Sequence, residues 1–500
     1  MKGGHYIRRN TRCYKDRLVV FLRSGFVVAI SAAIVLATGA CERRRSVPPN
    51  IVLVTLDTTR PDHLGCYGYD RDTSPNLDSF AGNAVLYEQA YATSSWTLPS
   101  HASLFTGLLP MQHGAQSVPE GPNKSLGYGV RPLQESFSTL AELLAAAGYR
   151  TGAVIAGPAL RGELGVGQGF EVYDDEFKSA GEKFNGRRAQ KVADRAIEIV
   201  ESFGDGPYFL FVNFFDPHAP YRPPPPFDEG LRHPDKKDGK PVTIEVVKQL
   251  VGHLSAGDAA IGTDQLDSVT RGELERQLEG YDAEIAYMDH HLGRLLDAVL
   301  PTTDDRRPAF VAITADHGES FGEHFFVSHG AHLYDHNVRV PLVVRAPGGS
   351  GATRVEAPVQ NHRLFATILD AAGVELPRGG QVGSLSDVDP SASPPVILEV
   401  HRSDANIRIF GEFFDRDLRA IRDADSKLIE SSTDTEELYD LAGDPLELVN
   451  RATAEPAVVE RLSKELAAVV SARPAQFEAD TRAELRDETA EALKALGYLD

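Results

Sequence analysis

Cysteine is scarce in this chain: Cys13, Cys41 and Cys66 are the only three among 500 residues. Three thiols cannot build a disulfide framework, so stability must come from a large core. Basic residues are also in deficit, 51 Lys and Arg against 72 Asp and Glu, giving a net charge of −21. The acidity is spread along the chain rather than gathered in a tail, which excludes a basic nucleic-acid footprint and reads as a solubilising surface. A site for an anionic substrate must then create its own local positive field, and a metal ion is the obvious means. No internal repeat is visible. The apolar run Phe26–Ala37 is too short for a confident membrane span.

What is present begins with a targeting pattern. Arg8, Arg9, Arg12, Lys15, Arg17 and Arg23 precede that apolar run, and Thr38, Gly39 and Ala40 lead to Cys41. This describes an export signal over 1–41 of the lipoprotein type, with Cys41 as the lipidated first residue of the mature chain. A plain signal peptide and an uncleaved anchor are the alternatives. The expected location is exported, periplasmic or at the cell surface, with membrane association only through the N-terminus.

Residues 42–49 form a short polar linker. From there apolar strands alternate with periodic helices: strands at 50–56, 151–155, 208–215, 310–314 and 340–345, and helices at 140–147, 187–203 and 271–300. Strand–helix alternation predicts an α/β sheet covered by helices on both faces, over 50–375. Residues 228–270 look like an insertion, either a lid or an inert excursion. Short strands at 395–400, 418–422, 427–430 and 438–440, a helix at 455–472 and a last helix near the chain end predict a smaller α+β subdomain over 376–500.

Chemistry-bearing residues follow the strands, where open α/β sheets place ligands. Asp57 ends the first strand, and a carboxylate there costs desolvation unless a positive group meets it. In the segment Ser95–Gly107, Pro99 suits a first helical turn, which puts Thr97 at a helix N-terminus that favours an anion. Thr97 is either a cap or, beside a metal, a nucleophile. Asp216 and His218 leave another strand in a proline-framed turn. Asp316 and His317 follow a fourth strand, with Gly318 allowing close backbone approach, and five histidines fall between 317 and 336. An Asp–His pair offers oxygen and nitrogen to one ion, a set suiting Mn²⁺ or Zn²⁺ better than Ca²⁺.

The text and order of these clusters resemble the sulfatases of the alkaline-phosphatase-like superfamily. The stretches that carry the likeness are DTTRPDHLGCYGY (57–69), PSHASLFTG (99–107), DPHAPYRPP (216–224), YDAEIAYMDHHLGRLLD (281–297), ADHGESFGEH (315–324), LYDHNVRVPLVV (333–344) and ELYDLAGDPLELVN (437–450). The resemblance implies a large mixed, mostly parallel sheet between helices, with a small C-terminal subdomain. It also implies a divalent ion (Ca, Mg, Mn or Zn) held by Asp57, Asp316, His317 and Thr97, with Thr97 also at the nucleophile position. His218 and His329 would contact the anion or protonate the leaving oxygen, with His332 competing with His329 for that role. Asp216, His218 and His329 could hold a second metal, and His101 and His332 could border it or the substrate. The implied partner is a sulfated or phosphorylated small molecule, glycan or lipid headgroup.

The pattern also departs from that family. Sulfatases place a Cys, oxidised to formylglycine, where Thr97 stands, followed by Pro and Arg; here Pro99 and His101 follow. Thr58 takes the place of a second Asp after Asp57, and the Lys and His that often flank sulfate are absent from 153–161. Superfamily members with a Thr nucleophile include phosphodiesterases and phosphoethanolamine transferases. Three functions therefore stay open: a sulfate or phosphate-type ester hydrolase, including phosphodiesterase or phosphonate hydrolase; a transferase using Thr97; and a non-catalytic binding protein.

Overall fold

The computed structural model describes residues 47–119, 129–177, 186–230, 244–256, 263, 266–300, 307–349, 351–377, 382–389, 394–473, 475–479, 481–496 and 498–499. The expected signal 1–41 with Cys41, linker residues 42–46, and parts of the expected insertion (231–243, 257–262, 264–265) lie outside the described residues.

Eight strands form the main sheet: β1 (Asn50–Leu56), β2 (Val85–Tyr87), β3 (Arg150–Val154), β4 (Val172–Asp174), β5 (Tyr208–Phe214), β6 (Ala309–Thr314), β7 (Leu342–Arg345) and β8 (Thr353–Val355). Their order is β8-β2-β7-β6-β1-β5-β3-β4. β1 is flanked by β5 and β6, both parallel to it, with Thr55 opposite Asn213 on one side and Thr314 on the other. β3 and β4 continue the parallel run, while β7 is antiparallel to β6 and β2 to β7.

The apolar runs are central strands buried on both faces. Side chains alternate across a strand, so Ile51, Leu53, Phe209, Phe211 and Phe310 enter one core. Val52, Val54, Leu56, Leu210, Val212, Val311 and Ile313 enter the other. Helix α1 (Thr97–Thr106) covers the first face with Leu98, Ala102 and Phe105. Helices α2 (Ala189–Phe203) and α3 (Ser268–Val299) cover the second, α2 with Val192, Ala196 and Ile199, α3 with Tyr281, Ile285, Met288 and Leu292. α3 starts three residues before the expected 271 because the Asp267 carboxylate accepts from the Val269 and Thr270 N–H groups and caps it.

Two expectations change in detail. The run 340–345 is not one strand. Pro341, lacking an N–H, interrupts it, and Arg339–Val340 pairs with Ala90–Tyr91 in a separate three-stranded sheet. Within 228–270, Ile244–Ala256 is a helix whose Val246 and Leu250 pack with Leu266, Leu274 and Phe325. That part of the insertion belongs to a core.

The C-terminal region is an antiparallel meander of β9 (Val396–Val400), β10 (Leu418–Arg422), β11 (Ser426–Ser431) and β12 (Glu436–Asp440). Helix α4 (Pro456–Ala472) covers it, packing Val459, Leu462 and Leu466 against Ile397, Ile421 and Leu428. The chain then returns to the large sheet. Helix α5 (Asp487–Ala495) and the residues after it bring Leu493 and Leu499 into the first core.

Candidate active site

The parallel register of β1 and β6 ends both strands at one level, so Asp57 and Asp316 emerge side by side. The Asp57 N–H still continues the ladder, donating to Phe214 O at 2.9 Å. The chain then turns sharply: Thr58 has φ +55°, a left-handed conformation unusual for a β-branched residue and held by its contacts. The Tyr281 hydroxyl donates to Thr58 O at 2.7 Å, and Thr58 N–H donates to Asp316 Oδ1 at 3.4 Å. Gly318 is required after His317, because a Cβ there would lie 2.1 Å from His336 O.

Asp57, Asp316 and His317 offer ligand atoms within 4.8 Å of one another, the only such trio of His, Cys, Asp or Glu among the described residues. Both Asp57 carboxylate oxygens and Asp316 Oδ2 are buried without a hydrogen-bond partner. Burial, with Asp316 and Glu319 adding repulsion, drives the Asp57 carboxyl well above the usual range. Asn213 offsets this in part, yet its amide bonds to Thr55 Oγ1 at 3.3 Å and Phe214 O at 3.4 Å. Burial also opposes charge on Asp316, but His317 and His101 outweigh it and hold that carboxyl below its ordinary value. His317 Nδ1 donates to Gly318 O at 2.9 Å, which leaves Nε2 as the nitrogen with a free lone pair. Orphaned carboxylate oxygens beside an available imidazole nitrogen are a donor set made for a divalent cation.

Thr97 opens α1 but does not cap it; the N-cap is Trp96. Its hydroxyl lies 3.1 Å from His317 Nε2 and is 1% exposed. His101, one turn on, is held by Thr97 O at 2.8 Å and Thr55 Oγ1 at 3.0 Å, with its ring 3.7 Å from Asp316 Oδ2. It braces the trio from behind. His329 reaches the same centre: its ring is 4.3 Å from that of His317, and Nδ1 meets Glu319 Oε1 at 3.1 Å. His218 stands beside it, ring centroids 5.0 Å apart, with Nδ1 on Ala219 O at 2.8 Å. Burial holds both imidazoles neutral, His218 lowered to about 3 and His329 to about 4, and it pushes Glu319 up to about 7.

Two sequence candidates lie elsewhere. Between His329 and His332, the structure brings only His329 to Thr97. His332 Nε2 is taken by Ser320 Oγ at 2.9 Å and Asn337 Nδ2 at 2.8 Å, and its ring packs on Phe326. Asp216 turns away to the start of α2, accepting from Ala189 N–H at 3.2 Å with Arg188 3.6 Å off. The expected second-metal set Asp216, His218 and His329 is not among the groups whose ligand atoms converge in the described residues; Asp216 Oδ1 is engaged at the helix end, while its Oδ2 is buried without a hydrogen-bond partner.

The sequence reading passed over Tyr498. Its hydroxyl lies 2.6 Å from His329 Nε2 and 3.1 Å from His218 Nε2. An aromatic residue after an ordinary helix carries no signal of such a position. Glu319 and Trp96 were visible beside singled-out residues but had no role assigned. Next to this centre is a cavity of about 620 Å³ bordered by Trp96, His329, Glu399, His401 and Tyr498.

A mostly parallel sheet carrying a carboxylate–imidazole trio and a hydroxyl at its carboxyl edge defines a hydrolase of alkaline-phosphatase-like fold. The chain belongs to the sulfatase family: the Sulfatase family model matches residues 49–374, and that of the N-sulphoglucosamine sulphohydrolase C-terminal region matches 322–472. It is thus a sulfuric ester hydrolase by family. It is 26% identical over 441 residues to the uncharacterized sulfatase YidJ of Escherichia coli (strain K12), covering 80% of this chain and 82% of that protein. It is 23% identical over 500 residues to the N-acetylglucosamine-6-O-sulfatase of Bacteroides thetaiotaomicron, covering 84% and 85%. The phosphonate monoester hydrolase of Agrobacterium radiobacter superposes with a TM-score of 0.66 at 23% identity, over 85% of this chain and 96% of that one.

Proposed function

We propose that the protein hydrolyses an ester of a tetrahedral anion with divalent-metal assistance, and that the Thr97 hydroxyl is the nucleophile. The observation that carries this is the placement of Thr97 Oγ1 at 3.1 Å from His317 Nε2, beside carboxylate oxygens that have no protein partner. Asp57, Asp316 and His317 would hold the ion, which when bound supplies positive charge that favours the alkoxide and the anion's oxygens. Thr97 stands at the N-terminus of α1, where the helix dipole favours an anion. Thr97 attacks the central atom. A neutral imidazole, His218 or His329, takes up the proton that the Thr97 hydroxyl loses and gives it to the leaving oxygen. Water then frees Thr97.

Thr97 itself favours a phosphate or phosphonate ester over a sulfate ester. A formylglycine hydrate expels sulfate through its second hydroxyl, a route that threonine lacks, whereas a phosphothreonine can be resolved by an activated water. The cavity suits a hydroxyl-bearing leaving group such as a sugar. Ser94 Oγ, Trp96 Nε1, Gln116 Oε1 and Glu399 Oε2 are all buried without partners, and all four residues line it. An exported, lipid-anchored enzyme bearing Cys41 would meet such substrates in the cell envelope.

The test is a side-by-side assay on aryl sulfate, phosphate monoester, phosphodiester and phosphonate, paired with metal analysis. Thr97→Ala should lower kcat by about 10³-fold or more on the preferred ester while leaving the bound metal in place. Full activity in that variant removes Thr97 from the mechanism. Product found on an acceptor alcohol would mark a transferase instead.

A further inference from the structure

We propose that Tyr498 is a specificity-determining residue whose phenol occupies the place of a substrate oxygen and is displaced when an anionic head enters. The proposal rests on the reading of Thr97 as the reacting group.

The geometry leaves little alternative space. The phenol oxygen bonds His329 Nε2 at 2.6 Å and His218 Nε2 at 3.1 Å, and the His329 ring lies 4.3 Å from that of His317, which contacts the Thr97 hydroxyl. A sulfate or phosphate oxygen bound for attack must lie about 3 Å from the same imidazoles and the same hydroxyl. Each Nε2 offers a single hydrogen-bonding position and the phenol fills both, so the phenol and a substrate oxygen cannot hold these imidazoles together. The closure is also visible in exposure. Thr97 is 1% exposed and Asp57, Asp316 and His317 are fully buried, while the large cavity is bordered by Trp96, His329 and Tyr498. The phenol therefore stands between cavity and nucleophile.

The attachment of Tyr498 is firm but local. Its N–H donates to Leu493 O at 2.9 Å, Leu493 and Leu499 are buried in the first core, and its ring packs 5.7 Å from that of Trp96. Displacement needs only the phenol to swing from two neutral imidazoles, with the flanking leucines still in place. The advantage of an anionic head over a neutral one comes from the cation that Asp57, Asp316 and His317 would hold, so anions are admitted and neutral polar groups are excluded.

Trp96 is the sole tryptophan of the chain and lies against Tyr498, so its emission reports the displacement directly. The experiment titrates inorganic phosphate and inorganic sulfate into the full chain, metal-loaded, as wild type, Tyr498→Phe, Tyr498→Ala and Thr97→Ala. Expected is an anion affinity about tenfold tighter in Tyr498→Ala, with kcat/KM for the preferred ester rising by a similar factor. Tyr498→Phe should shift in the same direction by less, since the ring still fills space. A fall in kcat/KM in Tyr498→Phe would overturn the proposal and make the phenol a catalytic donor. Anion affinity within twofold of wild type in Tyr498→Ala would overturn it too, leaving Tyr498 as packing. Thr97→Ala separates this from the reaction itself. Retained turnover there sinks the nucleophile reading, while tighter anion binding on adding Tyr498→Ala still supports displacement.

Discussion

Replacing Asp57 by Asn should change stability in opposite senses with and without metal. The ligand oxygens of Asp57 and Asp316 lie within 4.8 Å of each other. At an effective dielectric constant near 20, two unit charges at that distance repel by about 3.5 kcal/mol. The metal-free protein escapes part of this by keeping a proton on Asp57, whose carboxyl is raised by burial and then by Asp316. A carboxyl raised in the folded state binds more protons there than in the unfolded chain. Its stabilising contribution is present below about pH 4 and is lost as pH rises towards the folded value. Asp57→Asn abolishes that loss. In chelator, the variant should therefore melt at or above wild type, and the gap should widen from about pH 5 to pH 8. With a divalent ion at about 1,000 times its Kd, wild type should gain about 4 kcal/mol, and the variant little at the same concentration. Thermal melts in chelator and in Mn²⁺, Zn²⁺ or Ca²⁺ measure all four states. A variant that is less stable than wild type in chelator by more than about 1 kcal/mol would mean that a protein group already neutralises Asp57, and the cation site would fall.

Two further predictions concern the C-terminal meander. Lys427 is fully buried with Nζ 2.7 Å from Asp335 Oδ1, paired also with Glu447 and donating to Leu333 O at 3.0 Å. Lys427→Met strands a buried acid, Glu447, and a partly buried one, Asp335, and should cost about 3 kcal/mol, read as a fall in the urea midpoint; a loss under about 1 kcal/mol would show that those acids are neutral without it. His401 is raised to about 9 because Asp417 and Glu399 outweigh its burial. A raised imidazole stabilises fully below about pH 6.5 and loses that contribution as pH rises through about 9, some 2–3 kcal/mol in all. His401→Gln should thus narrow the difference in denaturation midpoint between about pH 6 and pH 9.5, and an unchanged difference would refute the pairing.

Most of the architecture could be read from local pattern. Strands such as Asn50–Leu56 and Ala309–Thr314 are apolar on both faces, and a parallel sheet under two helical layers is the arrangement that buries both. Asp57, Thr97, Asp316 and His317 were legible because each follows a strand or opens a helix, so topology draws them together, whereas His329 came only from the family resemblance. His332 illustrates the limit. It shares a short histidine-rich loop with His329, and only the fold decides which ring faces Thr97 and which meets Ser320 and Asn337. Asp216 was misplaced for a related reason: a strand-terminal carboxylate can serve an ion or a neighbouring helix end, and Ala189 N–H took it. Tyr498 was beyond reach because its position depends on the chain returning from the meander to the large sheet, a long-range packing event with no local mark.

The neighbours of the first strand are made late: β5 at 208–214 and β6 at 309–314. A growing polypeptide thus carries this apolar central segment with no sheet neighbour until residue 214 and with only one until residue 314. Such topology is intrinsically slow to fold and exposed to aggregation. Two of the three residues proposed to hold the ion, Asp316 and His317, follow β6, so such an ion would not nucleate folding; it would only lock a sheet that has already closed. Ion uptake should therefore report completed assembly, and the first strand depends on being kept apart from other chains until then.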